Sequence, residues 1–230
     1  LMCGDSDNLA AKHQQIVFLS NGIVADQEHP AELWKFIVLD SAGRDAVHKM
    51  QDVAALIYDG HGYPDGWYWT WASTHDNENN WDRIGSEDIW ELNMHAIPVF
   101  GACCLSSALD WPIVWNGSNN EQVTKPETFI SQAFIHAGAL AYIGATEESW
   151  GAFFGGLMDG NWDAWGLGDF DMPTMFWEHI FAGESIGTAL NHAREDFYLK
   201  EWTDEASRPF ARLCVMETVL YGEPAAMLTV

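Results

Sequence analysis

An α/β fold, with a mostly parallel central sheet covered on both faces, is predicted by three observations on this chain. Short apolar runs rich in β-branched and aromatic residues recur along it, longer amphipathic runs separate them, and each apolar run ends at or near Gly, Asp or Cys. At 230 residues and 48% hydrophobic content, the chain is large enough to bury such a sheet and fits one large domain or two small ones.

Taken in order, the segment 7–22 (DNLAAKHQQIVFLSNG) places Asp7 as a helix N-cap and Gly22 as a stop, although QQIVFLS passes as a strand too. Strands are expected at 33–40 (LWKFIVLD), 53–60 (VAALIYDG), 96–103 (AIPVFGAC), 139–146 (ALAYIGAT) and 216–223 (METVLYGE). Between them the grammar is helical. Ser86 caps 85–95, Pro126 opens and Gly138 closes 125–138, and 171–183 and 183–199 follow the same rules. The stretch 157–173 is rich in Gly, Asp and Trp without a period and reads as a long ordered surface loop. The chain shows neither an internal repeat nor a low-complexity tract.

Charge narrows the partners. Thirty-four acidic against 10 basic residues leave a net charge of −24, a surface that repels a phosphate backbone and excludes nucleic acid while favouring cations or basic peptides. Adaptation to high salt, or a set of calcium sites, would leave the same composition. No run of about 18 apolar residues exists to span a membrane. No basic-then-apolar leader opens the chain, and LMCGDSDN reads like the middle of a domain, as in a processed or trimmed chain. Four cysteines, two of them adjacent, are too few and too unevenly spaced for a disulfide scaffold.

In parallel sheets, ligands bind beyond the carboxyl ends of the strands. Two residues with catalytic chemistry fall there: His61 in IYDGHGYPDGW and Cys103 in IPVFGACCLSS. The interval of 42 positions between them leaves room for one crossover between neighbouring parallel strands. A thiol needs a base to become a nucleophile at neutral pH, and a histidine on the next strand end supplies one. Glycines flank His61, leaving the Gly62 amide uncovered; with the Cys103 amide it would form an oxyanion hole. Singly, such residues are more often packed than catalytic. Together, at one edge, they point to acyl transfer.

The blocks YDGHGYPDGW, EDIWELNMHAIPVFGACC, FISQAFIHAGALAYIGATEESWG, SIGTALNHAREDFY and TVLYGEPAAML, in that order, resemble the gingipain-type cysteine peptidases (family C25), part of the wider caspase-like, legumain-like group. Tyr58, Gly60, His61, Gly62, Trp67, Asp88, Cys103, Gly138, Gly144, Gly187, Gly222 and Pro224 sit where that pattern asks, from about Gly4 to the end. The resemblance implies a caspase-like, gingipain-like three-layer αβα sandwich over 1–230, a single catalytic domain from which an N-terminal subdomain is open to be missing. It implies Cys103 as nucleophile, His61 as base, and Gly62 and Cys103 as the oxyanion amides. Cys104, one place further, reads as a packed thiol. The family's glycine three residues after the nucleophile is Ser106 here, so the following loop is expected to differ.

Specificity residues are carried over in the same way. Asp7, with Asp5 second, fits the acidic stretch at the base of the first pocket in arginine-cleaving members; the N-cap reading of Asp7 stands beside it. Trp150 fits a pocket-wall tryptophan able to stack on arginine, or else packs in the core. Asp159, Asn161 and Asp163 alternate like the start of a calcium loop, but Ala164 breaks the EF-hand pattern, leaving a looser calcium site or a solvated acidic loop. His75, His95, His136, His179 and His192 show no Cys/His spacing for zinc. The Asn116 sequon is a pattern common by chance.

The expected function is a secreted or surface cysteine endopeptidase, its signal peptide outside this chain, acting on protein or peptide substrates after basic residues. The chemistry requires no cofactor, and structural calcium is allowed. The alternatives are a transpeptidase or self-processing peptidase with the same dyad, and an inactive calcium-binding module of the same fold.

Overall fold

Apolar strands that bury both faces need a layer on each side, and the arrangement of this chain supplies two. The computed structural model describes residues 2–4, 47, 50–52, 55–59, 61–68, 83–109, 126–147, 171–201 and 208–228. Its strands are β1 (Met2–Gly4), β2 (Leu56–Asp59), β3 (His61–Tyr63), β4 (Gly66–Tyr68), β5 (Arg83–Gly85), β6 (Pro98–Ala102), β7 (Ala141–Ala145) and β8 (Thr218–Gly222). Its helices are α1 (Ser86–Trp90), α2 (Ile130–His136), α3 (Asp171–Phe181), α4 (Ile186–Glu201) and α5 (Arg208–Glu217).

Five strands form the central sheet in the order β1-β2-β6-β7-β8; the first four run parallel and β8 runs antiparallel to β7. Successive side chains point to opposite faces. Ile57, Phe100, Ala102, Ala141 and Ile143 therefore meet α3, α4 and α5 through Phe176, Trp177, Ile180, Leu190, Phe197 and Cys214. Leu56, Tyr58, Val99, Cys103 and Tyr142 face the other way, onto Trp67, Ile84, Ile89, Ile130, Ala133 and Phe134. The result is a caspase-like αβα sandwich with a mostly parallel sheet.

Four expected strands, 53–60, 96–103, 139–146 and 216–223, contain β2, β6, β7 and β8. The helix expected at 85–95 stops at Trp90, because the Met94 amide is taken by the Ala137 carbonyl and the Asn93 amide by the Gln51 side chain. The 125–138 segment divides into a single 3-10 turn, Pro126–Thr128, and α2. Among the described residues, β1, α5, the 3-10 turn Met50–Asp52 and the small antiparallel sheet β3-β4-β5 were not anticipated. The helix or strand expected at 7–22 and the strand at 33–40 lie outside the described residues, as does nearly all of the 157–173 loop.

Candidate active site

Register decides what stands at the carboxyl edge. β2 and β6 are hydrogen-bonded neighbours with Asp59 opposite Ala102, so the chain leaves both strands at one level. Cys103 follows Ala102 directly, and His61 opens β3 two residues beyond Asp59. The segment then folds back through the two-residue loop Pro64–Asp65, pairing Tyr63 with Gly66 and Gly62 with Trp67. Closing pairs of such hairpins are hydrogen-bonded, and the next pair is not. The Gly62 amide is thus turned away from Trp67, toward the side of β3 opposite β4, the edge of this sheet among the described residues.

Gly62 packs directly on the thiol. A Cβ built there would lie 2.5 Å from Cys103 Sγ and 2.6 Å from the Cys104 carbonyl oxygen, so no side chain fits without moving the backbone. The residue after His61 and the sulfur are therefore in van der Waals contact. The His61 side chain itself, with its distance to the sulfur, lies outside what is described.

Cys103 is 2% exposed, whereas Cys104 is partly exposed, and neither forms a disulfide. Beyond them the loop turns at Leu105, whose φ of 56° is left-handed, a conformation that costs a side-chain-bearing residue about 1–2 kcal/mol. Its amide is held by the Glu147 carbonyl at 2.8 Å. The Cys103 amide does not face outward as the sequence suggested. It donates to the Gly101 carbonyl at 2.9 Å, because β6 ends in a tight three-residue turn, so it reaches a substrate oxygen only if that turn opens.

Beneath the thiol lies a polar network in an apolar layer. Trp67, fully buried and stacked on Tyr58 at 4.6 Å, donates its indole N–H to the Tyr142 hydroxyl at 3.1 Å. An indole can only donate, so the phenol oxygen accepts from it, and Ser106 is the phenol's other side-chain partner. Ser106 Oγ in turn donates to the carbonyls of Gly101 and Cys103, at 3.3 and 3.4 Å. Gly101 has no side chain because the Tyr142 hydroxyl occupies that space, 2.5 Å from where a Cβ would stand. Burial, then the nearby Cys103 thiol, push the Tyr142 phenol well above its ordinary value, outweighing the bonds from Ser106 and Trp67. The network buttresses the turn that carries Cys103.

Tyr142 and Ser106 escaped sequence reasoning. A tyrosine inside the otherwise apolar ALAYIGAT was the available signal, since a buried phenol requires a partner. Asp5, Asp7, Trp150, Asp159, Asn161 and Asp163 lie outside the described residues, so neither the pocket nor the calcium reading is placed here. Among the described residues, no helix is long and apolar enough to cross a membrane.

Comparison with known proteins places these features in context. The model of peptidase family C25 matches residues 11–229. No curated protein matches the chain at a significant level. Among solved structures, the complex of Porphyromonas gingivalis RgpB pro- and mature domains aligns with 97% of this chain at 11% identity and a TM-score of 0.54. A second, described as the structure of a protease, aligns with 98% of the chain at 13% identity and a TM-score of 0.48. The chain covers 47% and 48% of these two, about half the length of each.

Proposed function

The chain belongs to peptidase family C25, and from that premise we propose that it is a cysteine endopeptidase with Cys103 as nucleophile and His61 as base. One observation carries the assignment: Gly62, next to His61, lies with its backbone against the Cys103 sulfur. Cys104 is the more accessible thiol, but Gly62 touches the sulfur of Cys103 and only the backbone carbonyl of Cys104.

In this reading His61 takes the thiol proton and the thiolate attacks the scissile carbonyl. The Gly62 amide, joined by that of Cys103 once the 101–103 turn opens, holds the oxyanion. His61 then returns the proton to the leaving amine as the C–N bond breaks, and water hydrolyses the acyl-enzyme. A basic residue on the acyl side is favoured by the −24 charge, with Asp7 first and Asp5 second as the pocket carboxylate and Trp150 as the stacking wall. Secretion to a cell surface or medium, where protein substrates are met, belongs to the same reading.

The test is a peptide library with Arg or Lys at the cleaved position. Cys103→Ala is expected to lower kcat by about a thousandfold or more, while Cys104→Ala stays within about threefold of the parent. Loss of turnover in the Cys104 variant alone would reverse the assignment. Products joined to an added amine, with no hydrolysis, would make the enzyme a transpeptidase.

A further inference from the structure

The turn between α3 and α4 gathers two imidazoles and two carboxylates far from the thiol. β8 is antiparallel, so its last residue Gly222 stands opposite Ala141, the first of β7. Just beyond it, the carbonyls of Pro224 and Ala226 accept from the amides of Gly187 and Ile186, at 2.8 and 2.9 Å. The start of α4 is thereby tied to the edge where the parallel strands begin, opposite the edge that holds Cys103.

The turn is closed by its own backbone bonds. Gly183 has a φ of 87°; its amide donates to the Ile180 carbonyl at 3.0 Å, and the Glu184 amide donates to the His179 carbonyl at 3.2 Å. This pair of bonds is a Schellman closure, which only a left-handed residue at that position allows. It folds Glu184 back over the last turn of α3. Glu184 Oε1 then lies 3.2 Å from His179 Nδ1, and Oε2 lies 2.8 Å from His192 Nδ1. One turn along α4 from His192, Asp196 Oδ2 meets His179 Nε2 at 2.9 Å. One donor atom each from His179, Glu184 and His192 fall within 4.8 Å of one another.

Tautomers make this arrangement informative. A carboxylate only accepts, so the bond to Asp196 puts a hydrogen on His179 Nε2. The neutral ring then turns the Nδ1 lone pair toward Glu184 Oε1, setting two acceptors against each other at 3.2 Å. Something positive must stand there: a second proton or a metal ion. An imidazole whose far nitrogen is fixed by a carboxylate is the usual outer arrangement of metal-bound histidines. Two imidazoles with one carboxylate suit zinc, whereas calcium and magnesium require oxygen ligands throughout.

We propose that His179, Glu184 and His192 bind a divalent transition-metal ion, zinc by ligand type, with Asp196 as the outer carboxylate and water at the remaining position. The ion clamps the α3–α4 turn, and with side-chain exposures of 23%, 25% and 47% at its three ligands it exchanges freely with solution. The spacing His-x4-Glu-x7-His-x3-Asp has meaning only once the turn is known, so the sequence shows nothing of it. The site stands apart from the peptidase reading.

The full chain, freed of metal by chelation and dialysed, is titrated with zinc sulfate by calorimetry and thermal melting, and with cobalt chloride by visible absorption. One equivalent is expected to bind saturably, and a hundredfold excess over Kd to raise Tm by about 5 °C or more. Glu184→Gln and His192→Gln are expected to lose the cobalt band and the Tm shift while their metal-free Tm stays within about 2 °C of the parent, since they alter only partly exposed pairs. Cys103→Ala is expected to bind as the parent does. Absence of saturable binding assigns the gap to a proton and overturns the proposal. So does binding that persists in the double variant Glu184→Gln/His192→Gln, or a sulfur-to-cobalt charge-transfer band, either of which places the metal elsewhere.

Discussion

Where β2 and β6 end, atoms are excluded; where β7 begins and β8 ends, charges are gathered in reach of water. At the first edge Gly62 and Gly101 leave space that Cys103 Sγ and the Tyr142 hydroxyl fill, and Trp67, Tyr142 and Ser106 find partners inside an apolar layer. At the second, His179, Glu184, His192 and Asp196 meet on a surface where salt, protons and metal ions all compete. A buried polar network is sensitive to single atoms, because each unpaired group loses its full solvation. An exposed one is sensitive to conditions instead. Substitutions at the first edge should therefore have large effects that salt does not change, and those at the second small effects that it does.

The sharpest way to break this contrast is Gly62→Ala. Even with the thiol rotated aside, the added methyl meets the Cys104 carbonyl oxygen at 2.6 Å and the Cys103 Cβ at 2.9 Å, so the hairpin and the turn at Cys103 must separate. Displacing reacting groups by about 1 Å costs on the order of a hundredfold in rate. Steady-state cleavage is expected to show a fall in kcat/KM of at least that size with the far-ultraviolet circular dichroism unchanged. Undiminished turnover would mean that the contact of Gly62 with Cys103 has no bearing on catalysis.

Tyr142→Phe comes next. It leaves the Trp67 indole N–H buried without its acceptor and removes the phenol that Ser106 meets, a loss of about 1–3 kcal/mol. Denaturant titration at neutral pH measures it, and 0.5 M salt should not alter it. The phenol also brings an alkaline limb. Its folded pKa is raised above the unfolded value of 10, so the unfolded chain loses this proton first as pH rises. The stabilisation is complete below pH 10 and declines above it. The parent is therefore expected to lose its advantage over the Phe variant as pH is raised from 9.5 to 11.5; parallel curves would show that Tyr142 is not buried as described.

The two edges also differ in how far they could be read from sequence. His61 and Cys103 were legible because a strand end next to glycine is a local pattern, and because parallel strands bring their carboxyl ends to one side whatever the connections. β2, β6, β7 and β8 were legible as apolar runs. The β3-β4-β5 sheet was overlooked, although Pro64–Asp65 is a turn signal, because three-residue strands are too short to show alternation. Tyr142 beneath the thiol is a matter of register between β6 and β7, which no single segment encodes. The His179 cluster was less legible still. Cys/His spacing along the chain is the local signal of such a site, and these residues come from a helix end, a turn and a second helix.

The mildest test acts on that second edge, through Asp196→Asn. Asparagine keeps an oxygen to accept from His179 Nε2 but removes the charge, and Asp196 is 53% exposed, so the metal-free protein is expected to change by less than about 1 kcal/mol. Its effect on zinc should be larger, because an outer carboxylate raises the basicity of the ring it holds, and losing one typically weakens metal affinity about 10- to 100-fold. Calorimetry with zinc sulfate on the chelator-treated variant separates the two quantities, and cleavage of a basic peptide should not change at all. Equal zinc affinity in parent and variant would reduce Asp196 to a surface ion pair. A fall in cleavage rate would tie together two edges that otherwise share only the sheet between them.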